Sequence, residues 1–125
     1  MANASTTGFG FRPIKKVGQT DNVGALTEYS VAASSALISH AAMVQLTADG
    51  VVLASGNTDA NNLGTLNGVF YTDADTNKPT FANFSKASNT ATDIVAFVND
   101  DPRQVYEIMS ADTAFNQNEV GGCAD

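Results

Sequence analysis

Residues 43–53, Met43-Val44-Gln45-Leu46-Thr47-Ala48-Asp49-Gly50-Val51-Val52-Leu53, decide how the rest of the chain is read. Met43 to Leu46 has the apolar, β-branched character of a strand, and Thr47 to Gly50 ends it with turn chemistry. An Asp-Gly pair directly before Val51-Val52-Leu53 is a strong hairpin signal, because Gly supplies the positive φ that tight turns need.

The same grammar repeats toward the C-terminus. After a polar loop over 55–62, Leu63 to Tyr71 reads as a strand interrupted by Asn67-Gly68, and a glycine there marks a bulge. Residues 72–79 (Thr-Asp-Ala-Asp-Thr-Asn-Lys-Pro) form a turn-rich loop, and Phe81 and Phe84 lie in a short extended segment. Polar residues 85–90 precede Ile94-Val95-Ala96-Phe97-Val98, the most hydrophobic run and a buried strand. Asn99-Asp100-Asp101-Pro102 breaks it. Val105 to Met109 follows as a strand with Val105, Glu107 and Met109 on one face and Tyr106 and Ile108 on the other.

Toward the N-terminus the pattern weakens. Residues 31–38 allow a short helix by propensity, but the pair Ser34-Ser35 and the lack of caps weigh against it. Residues 1–28 read as an extended arm. In it Gly8-Phe9-Gly10-Phe11-Arg12-Pro13 alternates glycine with aromatics, and Ile14 and Val17 are apolar. Such a segment suits a surface to lie on, and a neighbouring molecule is the favoured one over the chain's own domain. The expected fold is mostly β, a small β-barrel or sandwich over 29–125 with an extended N-terminal arm over 1–28.

Charge sharpens this division. The chain has 125 residues and a formal net charge of −7. Residues 1–20 hold Arg12, Lys15 and Lys16 with no acid. The other 105 residues hold Lys78, Lys86 and Arg103 against thirteen acids. An acidic body argues against nucleic acid as a partner, since phosphate contacts need clustered Lys and Arg. Three cations on the arm suit an acidic protein surface. Charged residues are only 15% of the chain, below the usual quarter, which fits a packed assembly subunit. The lone Cys123 forms no intrachain disulfide, and no run is long or apolar enough for a membrane span. These features predict a soluble protein made in a reducing cytoplasm.

Chemistry finds little to stand on. His40 is the single histidine, and although Ser35 and Ser39 lie close in sequence, no G-x-S-x-G elbow is present. One His and one Cys are too few N/S ligands for a zinc site. Asp73-x-Asp75-x-Asn77 copies the opening of a calcium loop, but Lys78 occupies the required glycine and Phe84 the bidentate glutamate. Asp100-Asp101-Pro102 reads as a turn. Gly8-x-Gly10 has Pro13 where the third glycine of a nucleotide fingerprint belongs. No catalytic residue, cofactor or metal is expected.

Four stretches together resemble the head decoration (cement) proteins of tailed bacteriophages: TTGFGFRP (6–13), VQLTADGVVLA (44–54), LGTLNGVFYTDADTNKPTFANF (63–84) and ATDIVAFVNDDPRQVYEI (91–108). The likeness runs over roughly 8–112 and lies mainly in turn chemistry and strand pattern. One departure is Lys78, where the second hairpin of such proteins carries glycine. The resemblance implies a β-barrel core on the outside of the phage head, bound to the major capsid protein and to neighbouring copies, a homotrimer among the options. It implies no cofactor, nucleic acid or membrane. The capsid-binding residues are then expected to be Phe9, Phe11, Arg12, Pro13, Ile14, Lys15 and Lys16. The competing readings are a receptor- or glycan-binding β-module of a tail or fibre, carried by the polar loops, and a small hydrolase using Ser35 or Ser39 with His40.

Overall fold

A computed structural model describes residues 10–18, 26–33, 35–54 and 62–109. Phe9, Cys123 and the loop over 55–61 lie outside the described residues. Eight strands run in chain order: β1 (Arg12–Lys16), β2 (Thr27–Ser30), β3 (Met43–Thr47), β4 (Gly50–Leu53), β5 (Asn62–Thr72), β6 (Pro79–Ala82), β7 (Val95–Asn99) and β8 (Gln104–Glu107). Six of them make one antiparallel sheet ordered β2-β7-β5-β3-β4, with β6 also on β5. β1 and β8 make a separate two-stranded ribbon. The mostly-β expectation holds, and no helix occurs among the described residues.

The 43–53 hairpin forms with Thr47 opposite Gly50. Its positive φ falls on Gly50 itself, at +129°, rather than inside the two-residue turn. Gly50 also has no room for a side chain, since a Cβ would stand 2.6 Å from the Ser30 carbonyl oxygen. That approach shows how the sheet ends. β4 curls round to the chain leaving β2, and Val31 and Val51 form one parallel bridge. Closure stops at that bridge, so the sheet is open and sandwich-like, and the barrel alternative is set aside.

Long β5 is the spine. Its first half pairs with β3 and its second half with β6, both on one side, while β7 pairs along the other. The register slips between Leu66 and Gly68, the bulge expected from Asn67-Gly68. The β5–β6 turn solves its missing glycine with Asn77, which takes φ +56°, a conformation Asn tolerates. Lys78 thus need not be glycine.

Alternation along the strands selects the core. Val69, Ala96 and Val98 are at most 1% exposed, and Val31, Ile38, Val44, Val51, Leu66, Tyr71 and Ile94 complete the cluster. The ambiguous 31–38 stretch is extended at both ends. Val31 bridges to Val51 and Ile38 to Ser85, each exchange burying a β-branched side chain that a solvent-facing helix would have left half exposed.

Candidate interaction surface

Of the expected arm, described residues 12–16 form one strand of the ribbon. β1 pairs antiparallel with β8, Arg12 opposite Glu107 and Lys16 opposite Gln104. The described part of 1–28 therefore lies on its own chain, and the boundary at 28/29 falls inside β2.

The ribbon is pinned to the body by polar bonds. Buried Gln104 donates from Nε2 to the Lys15 carbonyl at 3.0 Å and accepts from Asn99 Nδ2 at 3.0 Å. Tyr106 donates its hydroxyl to the Asn99 carbonyl at 3.1 Å, and burial raises the pKa of this phenol. Phe11 packs edge-on against the Tyr106 ring, with centroids 6.2 Å apart. The Phe11 N–H donates to the Ala41 carbonyl and the Val17 N–H to the Arg103 carbonyl.

Two ion pairs close the frame, Arg12 with Glu107 and Lys16 with Asp101, the latter at 2.8 Å. The Lys16 ammonium and the Arg103 N–H hold the Asp101 carboxyl below its usual range. Asp100 accepts from the hydroxyls of Thr27 and Tyr29, at 2.9 and 2.6 Å. The Asp100 bond raises the Tyr29 pKa. Both acids of the 100–102 turn are thus spent on structure.

A register shift between Pro13 and Lys15 leaves Ile14 as an extra residue, a β-bulge. Its effect is to sort the side chains. Phe11, Pro13 and Lys16 turn toward the body and are half-buried, while Arg12, Ile14, Lys15 and Val17 are exposed. Of the sequence-predicted binding residues, the first three serve the chain's own fold. Arg12 is exposed and paired with Glu107. Ile14 and Lys15 stand outward together. Val17, 66% exposed, and exposed Arg103 join them beside the Val17–Arg103 backbone bond. The result is a small outward patch in which apolar Ile14 and Val17 lie beside Lys15 and Arg103, while Arg12 and Lys16 are paired with Glu107 and Asp101. Sequence reasoning placed Val17 in the arm without counting it among the binding residues, and missed Arg103. Arg103 was hidden by 85 residues of intervening chain, and only pairing brings it alongside.

Other candidates resolve into structure. His40 is exposed, with Nδ1 3.1 Å from the Asn67 carbonyl. Asp73 accepts the Asp75 N–H at 3.0 Å and shapes its turn. Among the described residues no three or more His, Cys, Asp or Glu gather as a metal site. A groove of about 660 Å³ runs along residues 88–95 and is lined by Ser30, Ser88, Asn89, Thr90, Thr92 and Asp93, among others. No family model, no curated protein and no solved structure matches the chain.

Proposed function

We propose that this chain is a non-enzymatic structural protein that decorates the outer surface of a phage head, with the ribbon as its adhesive face. The partners on that surface are the major capsid protein and neighbouring copies. The observation that carries the reading is the outward patch of Ile14, Lys15, Val17 and Arg103 on an acidic body. An apolar centre with a charged rim is how protein surfaces make specific contacts. The likeness of residues 8–112 to head decoration proteins supplies the lattice, and repetition on a lattice makes individually weak contacts strong.

The test is co-sedimentation of the chain with empty heads of the phage that encodes it. The wild-type chain should pellet with the heads, and an Ile14→Asp, Lys15→Glu chain should stay in the supernatant with its fold intact. A wild-type chain that ignores the heads sinks the reading. The groove at 88–95, where the polar side chains of Ser88, Asn89, Thr90 and Thr92 alternate with apolar Ala91, Ile94 and Val95, favours a glycan-binding module as the second reading, and binding to a glycan array that is lost in Asn89→Ala would establish it.

A further inference from the structure

The six-stranded sheet carries an apolar face that its own core does not use. Opposite the buried Val69, Tyr71, Ala96 and Val98, the outer face holds Phe81, Phe70 and Val95 in cross-strand register, with Phe97 beside them opposite Gly68. The Phe70 and Phe81 rings are 4.4 Å apart, and Phe81 is 76% exposed, the most of any large hydrophobic residue described. An antiparallel sheet with a free face normally makes it polar. This one is aromatic.

Acids surround the stripe. Asp93 accepts the Thr72 N–H at 3.0 Å and so sits at the end of β5, beside Asp73 and Asp75 of the following turn. That bond keeps the Asp93 carboxyl below its usual range. Glu28 lies on the other side, opposite Phe97. Two bases lie near these acids, Lys78 in the same turn as Asp73 and Asp75, and Lys86, whose ammonium stands over the core-facing Tyr71 ring 5.8 Å from its centroid. The stripe is thus apolar and acidic, where the ribbon patch is apolar and basic. Each offers what the other lacks.

The two patches cannot meet within one molecule. The ribbon is anchored through Asn99, opposite Thr65, whereas the stripe crosses β5 at Phe70, roughly 17 Å further along the strand. Only a second molecule brings them together.

We propose that the ribbon of one copy docks on the aromatic stripe of a second copy, head to tail. Ile14 and Val17 cover Phe81 and Phe70, while Lys15 and Arg103 face Asp73, Asp75 and Asp93. Such a heterologous contact propagates or closes into a ring according to its rotation. The inference rests on the ribbon being the adhesive face, and it names the neighbouring copy as that face's occupant.

Sedimentation velocity on the full chain tests it. Association should set in between about 10 μM and 1 mM and weaken as salt rises from about 0.05 to 0.5 M. Phe81→Asp spoils the stripe and Val17→Asp the ribbon, and each should weaken self-association about tenfold or more. Phe81→Thr, which suits a strand, guards against a folding defect, and far-UV circular dichroism checks all three. The decisive step mixes Phe81→Asp with Val17→Asp: one retains its ribbon, the other its stripe, so the pair should form a one-to-one dimer that neither forms alone. A chain monomeric at about 1 mM overturns the proposal. So does undiminished association of Phe81→Asp, or a mixture that stays monomeric. Uptake of a never-associating chain by heads overturns the copy contact and leaves decoration standing. Self-association without uptake does the reverse.

Discussion

The centre of the six-stranded sheet and the β1–β8 ribbon are separated by a single turn, residues 100–103, yet different forces hold them. At the centre, Leu66, Val69, Ala96 and Val98 are at most 1% exposed, and packing of apolar surface dominates. In the ribbon, Gln104, Tyr106 and the Lys16–Asp101 pair do the holding, through directional polar bonds, the last of which depends on charge. Apolar burial tolerates changes of pH and salt; polar pinning does not. The ribbon should therefore open at lower free energy than the sheet.

The largest expected effect tests the sheet. Leu66→Ala removes a fully buried side chain at the centre and should cost about 3 kcal/mol of global stability in urea titration. Protection from hydrogen exchange should then fall in the sheet and ribbon alike, since global unfolding governs both.

Gly64→Ala attacks the joint between the two regions. A Cβ at residue 64 would lie 1.9 Å from the Asn99 carbonyl oxygen, which is backbone and has to move. About 2 kcal/mol is expected from overpacking of this kind. Because Asn99 also anchors Gln104 and Tyr106, exchange in β1 and β8 should rise more than in β3 and β4. Equal changes in both would mean that Asn99 does not couple them.

Gln104→Ala addresses the ribbon alone. It leaves Asn99 Nδ2 and the Lys15 carbonyl without this partner, worth about 1–2 kcal/mol. Roughly tenfold faster exchange in β1 is expected, with β5 and β7 nearly unchanged.

The smallest effect is in pH. The Asp101 carboxyl is held below its unfolded value, so its contribution is present above that value and is lost as pH falls through the lower, folded one. Acidification below about pH 4 should loosen β1 before the sheet, and Asp101→Asn should already be loose at neutral pH. Ribbon and sheet melting together on acidification would erase the distinction drawn between them.

How much of this was legible beforehand follows from how local each signal is. The Asp49-Gly50 hairpin, the Asn67-Gly68 bulge and the 94–98 strand could be read because turn chemistry and alternation act over a few residues. Exposure within residues 11–16 was half legible. Arg12, Ile14 and Lys15 are on the exposed face as a binding arm requires, but Phe11, Pro13 and Lys16 are packed toward the molecule's own body. Nothing near them in sequence says so, since their partners are Tyr106, opposite Pro13, and Asp101. The aromatic stripe was missed for a related reason. Phe70, Phe81, Val95 and Phe97 belong to three strands, and each looks like an ordinary core residue until the register shows which face it takes.

By itself the sequence determined a mostly-β class, several strands and turns from Met43 onward, and a basic segment on an acidic body. Those properties reside in neighbouring residues and in total charge. Tertiary structure decided the rest: that the sheet stops short of a barrel at Val31–Val51, that residues 12–16 pair with the chain's own β8, and which of their side chains are exposed. The physical reason is the pairing of β1 with β8 across almost the whole chain. One extra residue in that register, Ile14, divides the side chains that hold the fold from those left exposed.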